Sequence, residues 1–304
     1  MTPHISAPDT AVLPAEEPTD DQVPSETKRR GSGSRLRAAV RHAGLVLACL
    51  VLALIVLWAL FPGWFSDADP LVGNGADRFL APSAEHPFGT DQFGRDIYAR
   101  LVDGAWLSVS GVVVAVALAL VVGTLLGLLA GFVGGWIDDI VMRVCDIMLA
   151  IPAILLSMAV ITALGGGTVK VAIAVGIASV ASVARTMRSE VLRIRNAGYV
   201  DAARASGVRW WGILGRHVLP NSLGPVIALT TVEFGTALLA IAALSFLGYG
   251  AQPPAPEWGA MIAEGRDYLA TAWWLTTIPG LLVVVIVLSV NRVARQAGSS
   301  RRNR

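Results

Sequence analysis

The chain has 304 residues, of which 54% are hydrophobic and only 15% charged, with a mean hydropathy of +0.62. So little charge over that length argues against an ordinary water-soluble domain and places the chain among integral membrane proteins. The formal net charge of +2 conceals a strong positional asymmetry.

In chain order, residues 1–37 read as a disordered cytosolic tail. The stretch is rich in Pro, Ser, Thr, Asp and Glu and turns basic at Lys28-Arg29-Arg30. It lacks the early apolar run and small-residue cleavage site of a secretory signal. Apolar runs long enough to cross a bilayer as helices then follow. The first is Ala43 to Phe61, the second Trp106 to Val133, and the third about Ile140 to Leu164, where Pro152 predicts a kink. Gly165-Gly166-Gly167 predicts a sharp turn into a fourth span, Val169 to about Val183. Asn221 to Leu247 and Trp273 to about Val290 complete six. Within the second span Gly123, Gly127 and Gly131 recur every four residues, a stripe that lets a neighbouring helix approach closely. Cys49 and Cys145 lie in or beside apolar runs without C-x-x-C spacing and read as small buried hydrophobes, not as a disulfide or zinc framework.

Basic residues set the orientation. Lys28, Arg29, Arg30, Arg35, Arg37 and Arg41 precede span one, and Arg143 lies near the connection of spans two and three. Seven arginines from Arg185 to Arg216 fill the connection of spans four and five, and five from Arg292 to Arg304 follow span six. That places 19 of the 24 Lys and Arg on one side. The positive-inside rule makes that side, and both termini, cytoplasmic.

The connection from about Arg185 to Pro220 is a polar island in this apolar chain, and it reads as helix. Asp201 sits early in a helical stretch, where its charge suits the helix dipole. Ala202, Ala203 and Ala205 are strong helix formers of little bulk, and Gly207 can end the helix in the left-handed conformation. Trp210, Trp211, Ile213 and Leu214 form an amphipathic segment. Pro220 falls in the first turn of span five, where it is tolerated. Read without family knowledge, the island either docks into a cleft on another protein or merely links two spans.

The island resembles the cytoplasmic-loop motif of binding-protein-dependent ABC importer permeases: Glu-Ala-Ala, three residues, Gly, nine residues, then Ile-x-Leu-Pro. Asp201 stands for the Glu and His217 for the Ile. Ala202, Ala203, Gly207, Leu219 and Pro220 match. His86-Pro87-Phe88-Gly89-Thr90-Asp91-Gln92-Phe93-Gly94-Arg95-Asp96 is similar to the peptide-transporter branch ahead of span two. Leu244 to Gly248, Gln252 to Gly259 and Glu264 to Tyr268 are similar to its last external loop. The resemblance covers roughly Ala38 to Ala294 and is strongest to the C-type permease subunit of dipeptide, oligopeptide and nickel importers.

The resemblance implies an all-α integral membrane protein with six transmembrane helices and a cytoplasmic coupling helix, the type I ABC importer permease fold. Residues 38–104 would carry the first transmembrane helix and an external segment, 105–294 the permease core, and 295–304 a basic cytosolic tail. Asp201, Ala202, Ala203 and Gly207 would contact an ABC ATPase subunit, with Leu219 and Pro220 fixing the return to the membrane. The partners implied are ATPase subunits, a sister permease, an extracytoplasmic substrate-binding protein, the peptide cargo and membrane lipid, with no nucleic acid. The location is a bacterial inner membrane. No cofactor or metal is expected on this chain, which lacks G-x-x-x-x-G-K-[ST]; ATP would be used by the partner.

Glu233, in the middle of span five, is the candidate for lining the transport route, since a charge at membrane depth faces the bundle interior or a water path. A hydrogen-bonded packing role is the competing reading. Asp146 and Arg185, near the cytoplasmic edge, read as snorkelling or interfacially paired. Ile241 stands where many relatives carry a glutamate. The external loop from Gly248 to Ala272, with Pro253, Pro254, Pro256 and Trp258, reads as either a docking platform for the binding protein or a lid. Competing functions are import of a nickel chelate or glutathione on the same scaffold, and a self-sufficient secondary transporter. The latter would more often carry inverted repeats and paired intramembrane acids.

Overall fold

The computed structural model describes residues 33–302, with side chains described over 43–296. The expected tail over residues 1–37 lies outside them up to residue 32. Ten α-helices occur among the described residues: α1 Gly33–Leu60, α2 Ile97–Val133, α3 Gly135–Ala150, α4 Ala153–Leu164, α5 Thr168–Arg195, α6 Gly198–Ala205, α7 Trp210–Ile213, α8 Leu219–Phe246, α9 Trp258–Gly265 and α10 Trp274–Arg302. Five helical stretches are long and apolar enough to cross a membrane. The α3–α4 pair makes a sixth span only if its two halves are counted together, because they meet at 100°.

That angle corrects the expected kink at Pro152 to a full break. Ile151 takes φ −94° and ψ 130°, the extended conformation favoured before a proline, and Pro152 itself has ψ 130°. Two successive non-helical residues end α3 and restart the chain in a new direction. The fourth expected span is longer than its apolar run, since α5 continues through Arg195. Cys145 is buried as expected, whereas Cys49 is exposed on α1.

The seam between α2 and α5 is built by the glycine stripe. A Cβ on Gly123 would lie 2.7 Å from the Val183 Cβ, one on Gly127 would lie 2.3 Å from the Ala184 carbonyl oxygen, and one on Gly131 would lie 2.9 Å from the Val191 Cβ. Farther along, a Cβ on Gly176 would meet the Ala115 carbonyl oxygen at 2.8 Å. The backbones therefore touch along most of the seam, the close approach that small residues permit in a membrane. Large side chains on the outer faces, such as Leu50 of α1, Leu125 of α2 and Leu288 of α10, stay exposed, as a lipid-facing surface requires.

At the end of the bundle where α2 begins, the sequence stretches before α2 and around α9 pack onto one another. Asp96 caps α2, accepting from the Ala99 N–H at 2.9 Å. Asp91 accepts from the Arg95 Nε at 2.6 Å and from the Arg95 N–H at 2.9 Å. Glu264 next to the end of α9 lies 3.3 Å from the buried Arg100 guanidinium. Trp258 is fully buried, donating from Nε1 to the Leu101 carbonyl at 3.0 Å. It fills the core under the loop and so is not available as a docking aromatic. Glu257 caps α9, accepting from the Gly259 and Ala260 N–H groups, both at 3.0 Å. Burial pushes its carboxyl above the ordinary 4.5, against those two donors that favour the charged form.

Gly127→Leu is expected to lower the thermal unfolding midpoint in detergent, corresponding to a loss of about 1–3 kcal/mol or more from overpacking. Gly280→Ala, with open space at its Cβ, should leave the midpoint unchanged or raise it slightly. For Glu257 the raised folded pKa means that the folded state holds the proton more tightly. Stability contributed by this group is fully present below about pH 4.5 and falls as pH rises toward the raised value. Glu257→Gln should therefore match wild type at low pH and gain on it across that window, read as the difference in unfolding midpoints against pH.

Candidate functional site

Three residues after α5 the chain starts α6, eight residues that carry the island. Its anchor is Val200, fully buried in a cluster with Val191, Ile194, Ile213 and Val218. The opposite face is open: Asp201, Ala202, Arg204, Ala205 and Gly207 are exposed and Ala203 is partly so. Asp201 lies in the first turn and, among the described residues, pairs with Arg204 on its own helix at 3.1 Å. The helix closes in a Schellman arrangement, with the Val208 N–H donating to Ala203 and the Gly207 N–H to Arg204. Gly207 has φ +78°, and nothing lies within 4 Å of a Cβ placed there. Its glycine is required by backbone conformation alone.

Contrary to the sequence reading, the amphipathic segment from Trp210 to Leu214 does not stand apart from span five. Residues Trp210–Phe246 run as one span, passing through a π-helical turn at Leu214–Val218 into α8. Pro220 has no N–H to donate, which suits a place where the hydrogen-bond ladder shifts from four-residue to five-residue spacing. The Leu219 N–H bonds back to Leu214, and the Asn221 side chain donates to the His217 carbonyl at 2.6 Å. Leu219 packs on the Val200 cluster while Pro220 stays exposed. The six motif residues thus share one rim of the bundle: Asp201, Ala202, Ala203 and Gly207 as its presented surface, Leu219 and Pro220 as its joint to α8.

This rim is tied more firmly than the sequence indicates. Arg195, the last residue of α5, donates from Nη1 to the Phe132 carbonyl at 2.9 Å and to the Gly131 carbonyl at 3.2 Å. It caps the end of α2 with a charge suited to a helix C-terminus. Arg188 of α5 forms a two-pronged ion pair with Asp138 of α3. Asp146 and Arg185 pair with each other across α3 and α5, as interfacial pairing would have it. The available signal was the count of arginines at the end of α5; Asp138, the partner of Arg188, was too far away in sequence to assign.

The second site lies at mid-depth. A cavity of about 190 Å³ opens where α3 and α4 break, between α5 and α8, and Glu233 lines it together with Ser157, Ser179, Ser182 and Thr236. Glu233 Oε1 accepts from the Ser182 hydroxyl at 3.1 Å. Ile241 is buried in the core and lines no part of this cavity. A larger apolar cavity of about 430 Å³ between α1, α2, α8 and α10 has only two threonines for polar lining and offers nothing to orient a polar cargo. Among the described residues no group of three or more His, Cys, Asp or Glu could hold a metal ion.

Apolar spans around a cavity lined in part by hydroxyls, with a small helix presented on one rim, describe a multi-pass membrane protein. Residues 123–302 match the family described as binding-protein-dependent transport system inner membrane component. The dipeptide transport system permease protein DppC of Alkalihalophilus pseudofirmus is 39% identical over 96% of this chain and 92% of that protein. The probable D,D-dipeptide transport system permease protein DdpC of Escherichia coli is 37% identical over 88% of this chain and 91% of its own length. A glutathione transport system permease of Shigella flexneri is 41% identical over 83% of each chain. Among solved structures, the inward-facing MetNI methionine ABC transporter aligns with 65% of this chain and 96% of its own at a TM-score of 0.52 and 20% identity. That likeness bears on the fold. The chain belongs to the binding-protein-dependent transport system inner membrane components, a family of ABC importer permeases.

Arg195→Ala should leave the last carbonyls of α2 without their cap. Backbone amides of residues 130–134 are then expected to exchange hydrogen about five- to tenfold faster, as loss of roughly 1–1.4 kcal/mol of hydrogen bonding implies. Exchange measured by mass spectrometry checks this.

Proposed function

We propose that this chain is one permease subunit of an ATP-driven peptide importer, paired with a sister permease and powered by separate ABC ATPase subunits. An extracytoplasmic binding protein delivers the cargo, and both termini and α6 lie on the cytoplasmic side. The observation that carries the reading is α6 itself. A short helix rooted by Val200 in a buried cluster, and otherwise exposed, is shaped to be pushed as a rigid knob. Asp201, Ala202, Ala203 and Gly207 form the docking surface, and Leu219 and Pro220 pass its displacement to α8. The chain supplies no ATPase site; its part is to convert the partner's closure into opening of a route past Glu233.

Peptide as the cargo follows from the relatives that are dipeptide permeases by name. A second cargo, glutathione, is favoured by the relative of that name at 41% identity.

The test is uptake and ATP hydrolysis in the reconstituted whole complex. Asp201→Arg and Ala202→Trp alter only the exposed face and should cut peptide uptake by at least about tenfold, the scale of a lost interface hot spot, while membrane levels of the subunit stay normal. Uptake indistinguishable from wild type in both variants would refute the coupling role. Parallel uptake assays with dipeptides and with glutathione separate the two cargoes.

A further inference from the structure

We infer that the mid-depth cavity at Glu233 is a subsite for a cationic amino group of the cargo. The inference rests on the reading of Glu233 as part of the route and deepens it.

A carboxylate in the middle of a membrane helix is expensive unless something compensates it. Glu233 is the fifteenth residue of the 28 in α8, and hydroxyls alone serve it. Ser182 donates at 3.1 Å, and the Thr236 hydroxyl lies 3.5 Å from Oε2. Among the described residues no Lys, Arg or His forms an ion pair with it. Two of the three acidic residues of α3 differ in this respect, since Asp138 and Asp146 each hold an arginine of α5.

Three of the four hydroxyls lining the cavity already spend their protons. Ser157 spends its proton on the Ala153 carbonyl at 2.9 Å, and Thr236 has the Glu233 carbonyl at 3.0 Å. Their lone pairs and the second carboxylate oxygen remain. The remaining lining is mostly small and apolar, with Ala153, Ala178, Ala237 and Ala240. Such a site is rich in acceptors and holds a carboxyl group that, among the described residues, has no cationic partner in an ion pair. A primary ammonium, with three donors and one positive charge, complements it. At about 190 Å³ the cavity is smaller than the roughly 300–1,000 Å³ of a drug-sized pocket. It holds an end group, an amino terminus with its first side chain, and not a whole peptide.

The test uses the intact transporter complex in membranes. In a Cys49→Ser background, chosen because Cys49 is exposed and Cys145 buried, the variant A240C places a thiol on the cavity wall. Its alkylation by a small water-soluble maleimide is followed with two probes present in turn. Alanyl-alanine amide carries an ammonium and no carboxylate; N-acetyl-alanine carries a carboxylate and no ammonium. The amide should protect the thiol at a concentration at least about tenfold lower than N-acetyl-alanine, the loss expected for one charge-assisted hydrogen-bonded pair. Adding E233Q should erase that difference, and adding E233D should keep it. Equal protection by both probes, protection by neither, or a preference that survives E233Q would overturn the inference while leaving the route intact. A thiol that maleimide never reaches, in a complex that still transports, would instead overturn the route itself.

Discussion

The close seam between α2 and α5 governs much of the rest of the structure. Helices in a membrane gain little from the hydrophobic effect on meeting one another, so they associate where their backbones can come near. Gly123, Gly127 and Gly131 of α2 provide that approach, each leaving room for a residue of α5 where a Cβ would collide. Because α5 is held along its length, it can be a single helix of 28 residues, about 42 Å at 1.5 Å per residue. Ser179 and Ser182 in its middle line the cavity. Arg188 and Arg195 near its end hold α3 and the end of α2. The chain leaves α5 directly into α6.

The sequence was most legible where one physical rule acts alone. Span positions follow from the length of apolar runs, and the glycine stripe followed from a fixed spacing of four. Gly207 was readable because a left-handed helix end has a strong residue preference, and it does take φ +78°. Boundaries were weaker where a helix outlasts its apolar run. The last turns of α5 carry Arg188, Arg193 and Arg195, so hydropathy falls while the helix continues, stabilised by charges suited to its C-terminal end.

The less legible features depend on residues far apart in the chain. A proline in an apolar span ordinarily means a kink. Whether it becomes a break depends on whether the neighbours can leave the helix, and here both Ile151 and Pro152 do. Trp258 read only as the aromatic of a proline-rich loop that was either a docking platform or a lid. Its buried position is set by Leu101 and Ser108 on α2, some 150 residues away. The acidic partner of Arg188, Asp138, was hidden for the same reason. Pairing across α3 and α5 is a property of the packed bundle, with no signature in either segment alone.

The rim and the cavity share two elements, which constrains how one could act on the other. Along α5, about 16 residues separate Ser179 from Arg195, near 24 Å of continuous helix, and the glycine seam would resist its sliding on α2. Along the Trp210–Phe246 span the route from α6 to Glu233 passes through the π turn at Leu214–Val218 and the proline-bearing turns at Pro220 and Pro225. Those are points where the backbone ladder is already incomplete, the usual places for a helix to bend. A push on α6 would therefore find α5 stiff and α8 pliable. On the proposed coupling, the wall bearing Glu233 and Thr236 would move while the wall bearing Ser179 and Ser182 stayed, and the 3.1 Å hydrogen bond from Ser182 to Glu233 would lie across the line where they part.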